Sequence, residues 1–184
     1  MAGRDLMPCR RGLLVRLAVL GGLLGPRMGL AQVGMHPVEF IELASGDSSL
    51  AGAPMLLVAG NARERAELVR LTDRPALASR LARLNLRHRR IVGIFAGPVG
   101  SSGHRLEVKD VHAGPDAVKV TVELVRPGPD QNVNDVISYP YAIVAMPRSE
   151  LPRCSSWAVV NMKVELLMPP QSLLVCEDSN DDPR

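Results

Sequence analysis

Aromatic residues are almost missing from this chain: two Phe, two Tyr and one Trp in 184 residues. A core of any size must therefore be filled by Val, Leu, Ile and Met. The rings or recognised motif that a nucleic-acid surface needs beside its positive charge are lacking too. Cysteine is scarce, with three in all. No Cys-x-x-Cys pair or Cys-His spacing suggests a metal. No Gly-x-Ser-x-Gly elbow marks a hydrolase nucleophile, and no Gly-x-x-x-x-Gly-Lys loop marks a phosphate cradle. The four histidines (His36, His88, His104, His112) are scattered, whereas zinc needs three or four converging ligands. These absences give an expectation of no catalytic residues, no cofactor and no metal. Internal repeats are absent as well.

What is present begins with a basic leader. Residues 1–31 hold Arg4, Arg10, Arg11, Arg16 and Arg27 against the single acid Asp5. Without them 17 basic and 18 acidic residues remain, a net of −1. The overall +3 is therefore no argument for a nucleic-acid partner. The apolar run from Leu17 to Leu24 is too short and glycine-rich to span a bilayer. With Gly29 and Ala31 at the −3 and −1 positions, it predicts a cleavable signal peptide over 1–31 and a mature start at Gln32. Arg10-Arg11-Gly12-Leu13-Leu14 fits a twin-arginine signal, leaving that route and general secretion both open. The expected location is extracytoplasmic, with no integral membrane segment after cleavage. Cys9 departs with the leader. Cys154 and Cys176 then either pair in a disulfide or remain two buried thiols.

Nearly half of the chain is apolar, enough for the core of one domain. Residues 37–43 alternate and predict a strand; Met55 to Ala59 predicts a buried one. Asn61 with Glu64 forms a loose capping box for a helix presenting Ala62, Ala66 and Val69 with Leu68 beside them, and Arg63 and Glu67 as a surface pair. Pro75 opens a second short helix with Leu77, Leu81 and Leu84 as its stripe. Arg80, Arg83, Arg87, Arg89 and Arg90 read as a solvated basic face. An apolar run over 91–96 leads into a small-residue loop, then two alternating strands, of which the first carries Leu106 and Val108 and the second Val118, Val120, Val122 and Leu124. Such alternation marks an antiparallel sheet with one face in water. Residues 136–147 read as a closing strand pair or a strand broken at Pro140. Beyond Pro152 a further strand is expected on Ala158, Val160, Met162, Val164 and Leu166. Glu177 to Arg184 reads as an acidic disordered tail. The fold class is α+β: mainly antiparallel β-structure, small and sandwich-like, with one or two short helices packed on it.

Phe95, Gly97, the loop ending in Ser101-Ser102-Gly103-His104, Pro127-Gly128-Pro129 and Tyr139-Pro140-Tyr141 follow one another in an order that resembles the C-terminal domain of the PrcB family. That family is associated with bacterial extracytoplasmic proteases. Where it usually has a Thr-Gly-Gly-Tyr turn, this chain has Ser101 to His104; its Pro-Tyr pair is kept as Pro140-Tyr141. The resemblance reaches upstream to about His36 and assigns 32–152 to one domain, followed by an additional strand and loop over 153–176. It implies a non-catalytic domain that binds a protein partner, stabilising or maturing an exported protease. The alternative is an inhibitor-like module that presents residues 97–104 to an active-site cleft. Partner-binding candidates are Gly97, Ser101, Ser102, Gly103 and His104 on the turn, and Pro140 and Tyr141, where proline marks an edge strand open to an extended partner. Set against the binding reading of the turn is a purely local one, in which Gly97, Gly100 and Gly103 supply positive φ to a hairpin.

Overall fold

Two strands buried on both faces organise the molecule. The computed structural model describes residues 34–72, 74–128, 130, 134–163 and 167–168. Its strands are β1 (His36–Pro37), β2 (Ile41–Gly46), β3 (Met55–Ala59), β4 (Arg89–Phe95), β5 (Arg105–Ala113), β6 (Ala117–Val125), β7 (Tyr141–Pro147) and β8 (Ser156–Asn161). Its helices are α1 (Ala62–Thr72) and α2 (Pro75–Ala82). One sheet runs β1-β5-β6-β8 and the other β2-β7-β4-β3. All neighbours are antiparallel except β6 and β8, which are parallel.

The pleat sends alternate residues of β4 and β7 to opposite faces. Val92, Ile94, Ala142, Val144 and Met146 meet Val111, Val118, Val120, Val122, Trp157 and Val159 of the other sheet in one core. Ile91, Phe95, Tyr141, Ile143 and Ala145 face a second core closed by Leu68, Leu71, Leu77 and Leu81 of the two helices. Burial on both sides is why these strands read as unbroken apolar runs rather than as alternation. Gly93 lets α1 come down on the sheet: a Cβ there would lie 2.3 Å from Leu68 Cδ2. The helix is seated by that contact, although it carries no aromatic.

Local chemistry sets the helix ends as the sequence predicts. Glu64 N–H donates to Asn61 Oδ1 at 2.9 Å, and Glu64 Oε2 accepts from Gly60 N–H at 2.7 Å. Pro75 stands at the first turn of α2, with Leu77 and Leu81 buried and Leu84 packed beside them. On the outer face of β5 and β6, Glu107 and Glu123 stand directly opposite, an unfavourable like-charge pair. Lys109 bridges them at 2.6 and 2.8 Å. Hydrogen bonds from Lys109, and then from Arg105, hold the Glu107 carboxyl below its ordinary range.

Several expectations need correction. The strand expected over 37–43 is two short pieces that join different sheets, β1 against β5 and β2 against β7. On α1 the buried side chains are Leu68, Leu71 and Thr72, while Ala62 and Ala66 are exposed. Glu67 pairs with Arg70 rather than Arg63, at 2.6 Å. The strand beyond Pro152 stops at Asn161, whose side chain accepts from Lys163 N–H and turns the chain. Trp157 and Val159, not Ala158 and Met162, enter the core between the sheets, and Met162 is exposed. The leader and the acidic tail expected over 177–184 lie outside the described residues. Among the described residues, no helix is long and apolar enough to cross a membrane.

Candidate functional site

The turn after β4 is built from its own backbone. Gly97 and Gly103 have φ of 76° and 80°, in the region that favours glycine, whereas Gly100 does not. A Cβ on Gly97 would lie 2.7 Å from Pro54 Cδ and 2.8 Å from its nitrogen, so conformation and space both exclude a side chain there. The local reading of the loop therefore holds at Gly97 and Gly103, and not at Gly100.

A second segment clamps this turn. Val99 and Ser138 exchange backbone hydrogen bonds of 2.9 and 3.0 Å. Ser138 Oγ donates to Ser101 O at 2.7 Å. Ser102 N–H donates to Asn134 O, while Ser102 Oγ accepts from Asn134 N–H at 2.9 Å. His104 Nδ1 lies 3.0 Å from Ser101 O and must donate to it. The same nitrogen is 3.4 Å from Ser101 Oγ. A ring nitrogen whose proton is held by a carbonyl has no lone pair for that hydroxyl, so the contact is not a nucleophile–base pair. Ser101, Ser102 and His104 are half-buried and engaged with their own chain.

What the clamp leaves outward is Asn134 and Asp135 on the clamping segment and, beside them, a small apolar patch. Gly100 is exposed, with nothing within 4 Å of an added Cβ. Val136 and Ile137 are 53% and 63% exposed. Sequence reasoning placed both at the head of a closing strand over 136–147, but that strand runs only over Tyr141–Pro147 and leaves them in the loop before it.

Pro140 and Tyr141 lie elsewhere than expected. β7 is an inner strand between β2 and β4, so Pro140 does not mark an edge. Proline tolerates its place because it needs only to accept, and its carbonyl takes Ala96 N–H at 2.9 Å. Tyr141 is fully buried, stacked on Phe95 with ring centroids 6.1 Å apart, and lies under Arg74 at 5.7 Å. Its side chain does not reach the surface. Burial pushes its phenol above the ordinary tyrosine range, partly opposed by Arg74. Its hydroxyl has no hydrogen-bond partner among the described residues.

The other sequence candidates do not converge on the turn. His36 and His88 are exposed on β1 and just before β4, and His112 Nδ1 is 3.0 Å from Asp110 Oδ1 on β5. Cys154 is a free thiol among the described residues and is exposed rather than buried; Cys176, its expected disulfide partner, lies outside the described residues.

Comparison with known proteins agrees with the resemblance over part of the chain. Residues 90–147 match the family model described as PrcB C-terminal. The span runs from β4 through β7 and includes the turn, its clamp and Tyr141; residues 36–89 lie outside it. No curated protein and no solved structure matches the chain.

Proposed function

We propose that this chain, whose residues 90–147 are of the PrcB C-terminal type, is an exported, non-catalytic protein-binding domain that serves as accessory subunit to an extracytoplasmic protease. The observation that carries the reading is the clamped turn. Hydrogen bonds from residues 134–138 fix residues 97–104 before any partner arrives. Ordering a loop in advance removes part of the entropic cost of association. Gly100, Val136 and Ile137 then present a small apolar surface beside that rigid edge.

The structure also says which substitutions test it. Changes at Ser102 or His104 disturb internal hydrogen bonds as well as any interface. Gly100→Arg and Ile137→Glu put charge at exposed positions with nothing to displace. Whatever co-purifies with the wild-type protein from its native host should bind each variant at least about tenfold more weakly, the usual consequence of forcing a charge into an interface. Melting temperatures should be unchanged. Wild-type binding by both variants would remove the turn from the interface. An accessory subunit raises the yield or lifetime of the co-purified protease; an inhibitor-like module lowers its turnover. The same preparation distinguishes them.

A further inference from the structure

β2 stands at the end of the β2-β7-β4-β3 sheet and, among the described residues, pairs with β7 alone. A strand in that place presents backbone carbonyls and N–H groups with which another extended chain can pair. Here the strand is interrupted and two of its carbonyls are taken. The register slips between Glu42 and Ala44, leaving Leu43 as an extra residue that bends the strand. Arg80 of α2 donates from Nη1 to Leu43 O. Arg74, at the N-cap of the same helix, donates from Nη1 to Ser45 O at 3.3 Å.

The helix itself does not close against the strand at this point. Between them lies an open cleft of about 470 Å³, bounded by Leu43 and Ala44 on the strand and by Pro75, Ala76 and Leu77 on the helix. The two arginine side chains line it and reach from α2 to the carbonyls. Their spacing suits this. Six helical residues rise by roughly 9 Å and two strand residues by roughly 7 Å, so positions 74 and 80 run alongside positions 45 and 43. Arg74 is also held over the Tyr141 ring, 5.7 Å from its centroid. Gly46 leaves room for that arrangement, since a Cβ there would lie 2.8 Å from Tyr141 Cε1 and 3.0 Å from Arg74 Nη2. Both arginines are exposed, and a solvated arginine needs no protein acceptor. Two from one helix on alternate carbonyls of one strand are better explained as a cover.

We propose that Arg74 and Arg80 guard the β2 edge, occupying Ser45 O and Leu43 O so that β2 of a second copy of this chain cannot pair there. A second copy is the strand they exclude because it carries the same edge. Two antiparallel β2 strands meeting around Ala44 would set Leu43 of each opposite Ser45 of the other, a closed two-fold contact. Each copy also brings two guanidinium groups to that contact, so the guards add like-charge repulsion to the loss of acceptors. The inference rests neither on the turn at residues 97–104 nor on a protease partner.

The test is sedimentation velocity of the full chain beside a full-chain variant carrying Arg74→Ala and Arg80→Ala, each over a wide range of concentration. The variant should self-associate at least about tenfold more tightly than the wild type. Arg80→Ala alone leaves the contact of Arg74 with Tyr141 in place and should shift association the same way by less. That single variant carries the test if the double one fails to fold. Hydrogen exchange of the associated variant should show protection gained over residues 41–46, the span of β2. Association of the folded variants no tighter than that of the wild type overturns the proposal. So does tighter association that leaves residues 41–46 exchanging as they do in the monomer, because the contact then lies elsewhere.

Discussion

The two ends of the β2-β7-β4-β3 sheet use their polar groups in opposite ways. At the end where β4 leaves and β7 enters, Ser101, Ser102, Ser138 and His104 are bonded to their own chain, and Gly97 and Gly103 hold backbone that other residues resist. At the other end, Arg87 and Arg153 stand at the surface and Trp157 keeps a buried N–H without an acceptor among the described residues. The turn residues singled out in the sequence are bonded to their own chain, while Arg87, read there as part of a solvated face, lines a cleft. The turn end therefore offers a rigid, largely self-bonded surface, and the basic end offers exposed charge.

The largest expected effect tests the first half of that contrast. Gly97→Val places a β-branched side chain at positive φ and against the Pro54 backbone. It should lower stability by about 2–4 kcal/mol. Gly100→Val, three residues on in the same turn, has ordinary φ and open space, and should stay within about 0.5 kcal/mol of the wild type. Chemical denaturation of the pair is the measurement. Equal losses would mean that the turn's geometry is not what its glycines secure.

The contrast also explains what was legible beforehand. β3 and the caps of α1 and α2 could be read from Met55 to Ala59, Asn61 with Glu64, and Pro75, because each rests on interactions within a few residues. β6 could be read from Val118, Val120 and Val122, since one of its faces meets the inter-sheet core. The inner position of β7 could not. Pro140 signals an edge only if its missing N–H would have been needed, and here only its carbonyl is used. The face of β8 was ambiguous because Trp157, Val159 and Val160 are all buried, which erases alternation. No local signal marks the basic cleft, because residues 87–88 and 148–153 meet only through the pairing of β4 with β7.

A smaller effect sits at the start of β7. The fold holds the Tyr141 phenol above its unfolded pKa, so it favours the neutral form. That contribution is fully present below the ordinary tyrosine value near 10 and is lost as pH rises through the folded value. In a Tyr139→Phe background, absorbance at 295 nm should show phenolate forming at higher pH in folded than in unfolded protein. Tyr141→Phe should abolish this alkaline loss of stability. At neutral pH it should change stability by less than about 1 kcal/mol, because the hydroxyl it removes has no partner among the described residues. A larger neutral loss would show that the hydroxyl is bonded after all, and the turn end would then be braced from beneath as well as from its clamp.

The smallest effect is expected at the basic end, and it decides how that end is held. Cys154 adjoins Arg153 in the cleft wall and is free and exposed. If the cleft's shape comes from β4–β7 pairing and the Arg148–His88 bond, the thiol contributes nothing to it. Cys154→Ser should then leave stability within about 0.5 kcal/mol under non-reducing conditions. A maleimide should label Cys154 in the folded protein without a denaturant. A disulfide from Cys154 to Cys176 would give a different outcome: no labelling at Cys154, and a loss on substitution of about 3 kcal/mol, the stabilisation that closing a loop of that length supplies. That loss would rival the loss at Gly97, and the basic end would then be held covalently instead of by strand pairing.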